Sequence, residues 1–342
     1  MHTCARRADV ARAVGVAEST VSRALSDSPL ISDDVKRRVR EAAQRLGYVP
    51  SRQAARFARR RTYHLGFVVR SYASFAPFSR AYFPALLDGA VLGAEERGYH
   101  VTVVLDRRHD DVDEIAGMVS SREVDGLLLS VTPADDDRVL ALKKRGIPCV
   151  LINNYMKGMS SVDGDPRAGM RLAFEHALEL GHARLGYVTG DMAYRNAVDR
   201  LAMVHRLAEE HGVKISVAEG NFSRTSGYIA AGKLLQSPRP PSLIMTAADR
   251  EAMGVLDYCR QHRLRVPEDV SVIGYDNLEP ARTVSPGLTT VDNPVTRAGL
   301  VGAQLLIDTI EGKTKRPVAR WLETGFVVRE STGRCAGSQQ RR

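Results

Sequence analysis

Five polar residues crowd one short stretch near the amino terminus: Glu18, Ser19, Thr20, Ser22 and Arg23. Their types suit the reading of double-stranded DNA. An arginine donates to guanine O6 and N7 and a carboxylate accepts from cytosine N4, so Glu18, Ser19 and Arg23 are candidates for base edges. Hydroxyls such as those of Thr20 and Ser22 suit phosphates, which position a helix without reading sequence. A small helical bundle with no DNA role would show the same spacing, so the placement of charge weighs between the readings. Residues 1–61 hold 14 Lys and Arg against 6 Asp and Glu, and the remainder of the 342 residues holds 35 against 34. Nearly all of the net charge of +9 therefore sits in the first fifth of the chain. A compact basic segment on a near-neutral body points to a polyanion partner, nucleic acid first.

The elements that would position these residues are short helices. Residues 8–14 predict a helix with Val10, Ala11 and Val14 on one face, ended by a turn at Gly15. Residues 18–25 predict a second helix with Val21 and Leu25 facing inward. A third starts from Ser32 as N-cap, with Asp33 and Asp34 favourably placed against the helix dipole. Its apolar stripe is Val35, Val39, Ala42 and Leu46, with Lys36, Arg37, Arg38 and Arg40 in water, and Gly47 and Pro50 end it. Two short helices around a glycine turn, buttressed by a third, describe a helix-turn-helix, whose second helix enters the major groove. A basic segment, residues 50–61, follows and is too short and too charged to fold alone.

From His64 onward, short apolar runs alternate with helical segments, and the alternation restarts near Arg167. Buried strands alternating with helices mean parallel sheets covered on both faces. The restart predicts two similar α/β lobes, with ligand bound at the carboxyl ends of the strands in the cleft between them.

These residues carry a family resemblance. Asp9-Val10-Ala11, Gly15-Val16, Thr20-Val21-Ser22-Arg23 and Leu46-Gly47-Tyr48-Val49-Pro50 resemble the head of the LacI/GalR repressors in order and spacing. Leu180-Gly181-His182, the run from Val266 to Asp276, Leu288-Thr289-Thr290-Val291 and Val328-Arg329-Glu330-Ser331-Thr332 resemble that family's effector domain, so the likeness spans almost the whole chain. It implies a homodimer on palindromic operator DNA, with a hinge that becomes helical only on DNA. In that hinge Arg52 and Arg56 are assigned to DNA, and Phe57 would wedge into the minor groove where the family usually has leucine; packing of Phe57 against the body is the alternative. The resemblance further implies a body like the periplasmic sugar-binding proteins, crossing between lobes near Val162, Thr290 and Ala319. It places Asn153, Arg200, Phe222 and Asp276 around a small, carbohydrate-like effector. Read singly, Asp276 could cap a helix, Arg200 could pair at the surface and Phe222 could fill a core.

Four positions depart from the family pattern. Ala17 stands where Ser usually caps the recognition helix, and Glu18 is an unusual base-reading residue. Ala248 replaces an Asn before Asp249, and Met203 replaces a Gly three residues after Arg200; both changes bear on the expected pocket.

The expected organisation is a helix-turn-helix head (residues 1–49), a hinge (50–63), a two-lobed effector-binding and dimerisation body (64–333) and a tail (334–342) without a leucine heptad. Hydrophobic content of 44% and charged content of 26% are ordinary for a globular protein. No apolar run reaches the roughly 18 residues of a membrane span, and the start lacks the apolar stretch of a signal peptide. The scattered Cys4, Cys149, Cys259 and Cys335 show neither disulfide nor metal spacing, which suits a reducing cytoplasm. GxSxG, HExxH, Walker-type and GxGxxG motifs are absent, so an enzyme and a cofactor are not expected. His176 and His182 read as structural. Regulation by a protein partner, or a role as a sugar-binding transport component, remain the alternatives to a metabolite-controlled repressor.

Overall fold

A computed structural model describes residues 5–48, 61–70, 76–106 and 111–335. The chain forms two compact units, residues 1–63 and 64–342.

Among the described residues the first unit consists of three helices, α1 (Arg7–Val14), α2 (Glu18–Leu25) and α3 (Asp33–Leu46). Gly15 ends α1 at φ +74°, a left-handed conformation that glycine adopts without steric cost. The three helices enclose Val10, Ala11, Val14, Val21, Ala24, Val39, Ala42 and Ala43. Leu25 faces inward as expected, partly buried against this core, and Ala24 beside it is fully buried. Several expected faces are corrected. Leu46 is exposed while Ala43 joins the core. Lys36 is not in water: its side chain is only 12% exposed, and its ammonium lies 3.3 Å from Asp27. Arg38 donates to the carbonyl of Val14 at 3.0 Å, tying α3 to the end of α1.

The second unit is an α/β body of two six-stranded sheets. The strands of the first sheet are β1 (His64–Arg70), β2 (His100–Asp106), β3 (Gly126–Ser130), β4 (Cys149–Ile152), β5 (Ser160–Gly164) and β11 (Ala319–Leu322). They run in the order β11-β5-β4-β3-β1-β2, all parallel. The second sheet contains β6 (Arg184–Val188), β7 (Lys214–Ala218), β8 (Leu243–Thr246), β9 (Ser271–Tyr275), β10 (Thr289–Asp292) and β12 (Gly325–Val327). Its order is β12-β10-β9-β8-β6-β7, parallel except for β12 against β10. The central strands β3, β4, β8 and β9 are buried along their whole length, as strands covered by helices on both faces must be.

The helices of the first lobe are α4 (Tyr82–Glu95), α5 (Val112–Ser120), α6 (Asp137–Lys144) and α12 (Val295–Ile310). Those of the second are α7 (Pro166–Glu179), α8 (Arg195–Glu210), α9 (Arg224–Leu235), α10 (Asp249–Gln261) and the short α11 (Glu279–Thr283). Helices α4 and α12 pack closely because Gly89 and Gly299 carry no side chain: a Cβ on Gly89 would lie 1.8 Å from the Thr296 carbonyl oxygen.

The chain crosses between lobes at 164–166, 292–295 and 322–325, just past the ends of β5, β10 and β11. The crossings expected near Val162, Thr290 and Ala319 are found there, each two or three residues further along the chain. All three lie inside strands, where pairings such as Ile152 with Val162 and Ala319 with Ser161 still hold them to the sheet.

Candidate functional site

Strand ends build the cleft. Val131, Asn153 and Asp276 each follow immediately on a central strand and each has a positive φ, +52°, +59° and +127°. In each case the amide still donates to the neighbouring strand: Val131 to Ile152, Asn153 to Val162 and Asp276 to Val291. The backbone is thus turned out of the sheet while its last ladder bond is kept, an arrangement that stores strain at a site. Phe222, in the turn between β7 and α9, also has φ +60°.

The turns at Val131, Phe222 and Asp276 open onto a cavity of about 550 Å³ between the lobes. Arg200, Phe222 and Asp276 line it, together with Tyr82, Phe83, Tyr194, Asn196, Ala248 and Arg250. Asn153 is not on the wall. It is 2% exposed, with its Nδ2 lacking a hydrogen-bond partner.

Arg200 is 4% exposed. Its Nη1 donates to the Ala247 carbonyl at 2.7 Å, its guanidinium carbon lies 3.6 Å from the centroid of the Tyr275 ring, and its Nε has no acceptor. It is therefore not a surface ion-pair residue. Burial disfavours its charge, but the fields of Tyr275, Asp276, Tyr187 and Asp163 outweigh burial and hold it protonated. Asp276 accepts from Asn293 Nδ2 at 3.0 Å and caps no helix. Its pKa is raised, by burial above all, with Arg200 and Asn293 pulling the other way. Asp163, in β5 just before the first crossover, is pushed up to about 7 by burial against the opposing field of Arg200.

Two departures noted in the sequence resolve differently. Ala248 leaves the start of α10 without a side-chain cap and opens space on the cavity wall. Asp249 beside it is spent on structure, accepting from Thr290 Oγ1 at 2.6 Å and from the Leu278 amide at 3.1 Å. Met203 does not narrow the cleft. It packs in the core of the second lobe and borders a separate hollow of about 340 Å³ with Trp321 and Arg167.

Sequence reasoning missed three residues. Asn196 lies on the cavity wall with its Oδ1 unpartnered; its i,i+4 spacing from Arg200 on α8 was the available signal. Tyr194 meets Phe222 edge-on, with centroids 6.2 Å apart. Glu251, wholly buried on α10, accepts from the Phe222 amide at 2.7 Å, and no local pattern announces it.

In the helical unit Glu18, Ser19, Ser22 and Arg23 are exposed on α2 and Thr20 is half-buried. Ala17 precedes α2 without a side-chain cap. Glu18 Oε2 accepts from Arg7 Nε at 2.9 Å. Arg52, Arg56 and Phe57 lie outside the described residues.

A family model described as "Bacterial regulatory proteins, lacI family" matches residues 8–51, and one described as "Periplasmic binding protein-like domain" matches residues 174–332. The HTH-type transcriptional regulator CelR of Thermobifida fusca is 31% identical over 329 residues, spanning 94% of this chain and 96% of its own. The chain belongs to the LacI family of bacterial regulatory proteins.

This LacI-family chain is also 27% identical to the probable HTH-type transcriptional repressor ExuR of Bacillus subtilis (strain 168), over 95% of this chain and 98% of that one. The solved complex of CelR with cellobiose matches 96% of the chain and 99% of its own, at a TM-score of 0.74 and 30% identity. The lac repressor bound to ONPG in the repressed state matches at a TM-score of 0.82 and 26% identity, over 96% and 100%. The relatives named here are regulators and not enzymes. Among the described residues no cluster of His, Cys, Asp and Glu could hold a metal, and no helix is long and apolar enough to cross a membrane. His182 is engaged on both ring nitrogens, with Ser242 Oγ at 2.8 Å and the Gly333 carbonyl at 3.0 Å. His176 contacts Thr332 Oγ1 at 3.0 Å.

Proposed function

We propose that this LacI-family regulator is a repressor that binds palindromic operator DNA as a homodimer and releases or grips it according to a carbohydrate-like molecule in the cleft. The observation that carries the reading is the buried Arg200 guanidinium, which lines a 550 Å³ cavity with its Nε–H unsatisfied. A buried donor without an acceptor is costly, about 1–3 kcal/mol; the Nε is closed off from the open cavity, and rearrangement on ligand binding would bring a hydroxyl to it. Asp276 would accept from neighbouring hydroxyls, Phe222 would lie against the apolar face of a sugar ring, and Asn153 would respond behind the wall. The cellobiose in the CelR complex supports the carbohydrate class. On this reading residues 1–49 form the DNA-binding head, 50–63 the hinge with Arg52, Arg56 and Phe57 on DNA, 64–333 the sensor and 334–342 a tail.

A coupling of about 1–3 kcal/mol between the two sites gives a 5- to 150-fold change in operator affinity. The test is a thermal-shift screen of the full chain against sugars, sugar acids and polyols. A ligand at 100 times its dissociation constant adds about 2.7 kcal/mol and raises the transition by a few degrees. A shift that vanishes in Asp276→Ala, with operator affinity changed by the same ligand, is the expected result. A ligand that shifts the transition but leaves operator affinity unchanged would defeat the proposal.

A further inference from the structure

Glu18 is the first residue of α2, the end of a recognition helix that reaches base edges. A lone carboxylate there would carry negative charge between two walls of phosphate. It is not alone. Arg7, the first residue of α1, donates from Nε to Glu18 Oε2 at 2.9 Å, and the two side chains are 44% and 48% exposed.

That contact leaves a particular set of atoms available. Among the described residues Glu18 is the only partner of the Arg7 guanidinium, so both Nη groups point to no protein acceptor. Those groups are the two-donor edge that matches O6 and N7 of guanine. A planar fork held through its Nε by a carboxylate is pre-oriented, so little side-chain freedom remains to be lost on docking.

We infer that Arg7 is a base-reading residue of this regulator, specific for guanine, and that Glu18 is a positioning residue that aims it and does not itself read cytosine. This rests on α2 being the recognition helix, and it adds to that reading an arginine from the preceding helix. Arg23, exposed later on α2, then forms a second and separate reading position.

The experiment is selection of binding sequences from a randomised duplex pool by the full-length protein and its variants. Arg7→Ala should flatten the preference for guanine at one position in each half-site, by roughly 5- to 150-fold, the range of one bidentate arginine–guanine pair. Arg7→Lys, which keeps the charge but not the fork, should flatten the same position. Glu18→Ala should weaken the preference there and nowhere else, and the double variant should select no differently from Arg7→Ala. Arg12→Ala removes an equal charge from the same helix at a side chain 81% exposed, and should lower affinity without changing the selected sequence. If Arg7→Ala behaves as Arg12→Ala does, or if Glu18→Ala flattens a different position, the inference is wrong while the role of α2 stands. If the unmodified protein enriches no sequence, both fall.

Discussion

The backbone amide of Phe222 donates to the carboxyl of Glu251 at 2.7 Å, across 29 residues of sequence. That single bond ties the turn before α9, where Phe222 sits at φ +60°, to the first turn of α10. Glu251 is wholly buried and its pKa stands well above the ordinary carboxyl value, chiefly because burial penalises the charge. Burial thus favours its neutral form, which an amide resembles. Glu251→Gln should unfold within a degree or two of the parent. Glu251→Ala, which orphans a buried amide, should lose about 1–3 kcal/mol and also weaken any cleft ligand. Strong destabilisation by Gln, measured in urea, would mean that the buried carboxyl is ionised.

Arg200 is expected to separate ligand binding from folding. Arg200→Lys keeps a charge over Tyr275 but loses the fixed fork that reaches the Ala247 carbonyl. Ligand-induced thermal shifts should disappear in Arg200→Lys while operator affinity without ligand stays within about threefold. Calorimetric titration of the two proteins with one sugar checks this directly.

The pH dependence of stability follows from Asp163. Its carboxyl is raised from 3.8 to about 7 in the folded protein, mainly by burial. The folded state therefore holds a proton that the unfolded chain releases near pH 4. This contribution to stability is fully present below that pH and is lost as pH rises to about 7. The raised values of Asp249, Asp276 and Glu251, all set first by burial, act in the same direction. The thermal midpoint of the ligand-free protein should fall between pH 5 and 7.5, and Asp163→Asn should flatten that slope. His176 and His182, whose pKa values burial lowers, act the other way over the same range, so a slope left unchanged by Asp163→Asn would contradict the assignment.

Two glycines with opposite surroundings test the packing of the first lobe. A Cβ on Gly89 would meet the Thr296 carbonyl oxygen at 1.8 Å, whereas one on Gly117 meets nothing within 4 Å. Gly89→Ala should force α4 from α12 and lose about 1–3 kcal/mol or more. Gly117→Ala, inside α5, should gain up to about 1 kcal/mol. Urea denaturation of both variants reads the difference.

The placement of Arg200, Phe222 and Asp276 on one cavity shows what can be read along a chain of this kind. Each was placed by the resemblance to the family's effector domain, which put Asn153 beside them as well, and Asn153 lies behind the wall and not on it. The limits of α2 were legible too, since a period of 3.6 in eight residues leaves few alternatives. Glu251 and the structural use of Asp249 were not, because their partners lie 29 and 41 residues away and only the closed fold brings them together. The crossing points were legible to within two or three residues, the difference being that β5, β10 and β11 pair to their last residues before the chain leaves the sheet.

The chain passes three times between the lobes, and the last strand to be made of the first sheet is β11, Ala319–Leu322, at its edge beside β5. Helix α12, which covers the first lobe against α4, also comes from beyond residue 294. During synthesis the first lobe must therefore wait for one helix and its last strand until residues past 319 have left the ribosome. Neither lobe is a separable domain in time: they are completed within a few residues of one another, so a chain stopped short of residue 319 has two unfinished sheets with exposed edges, and not one finished lobe.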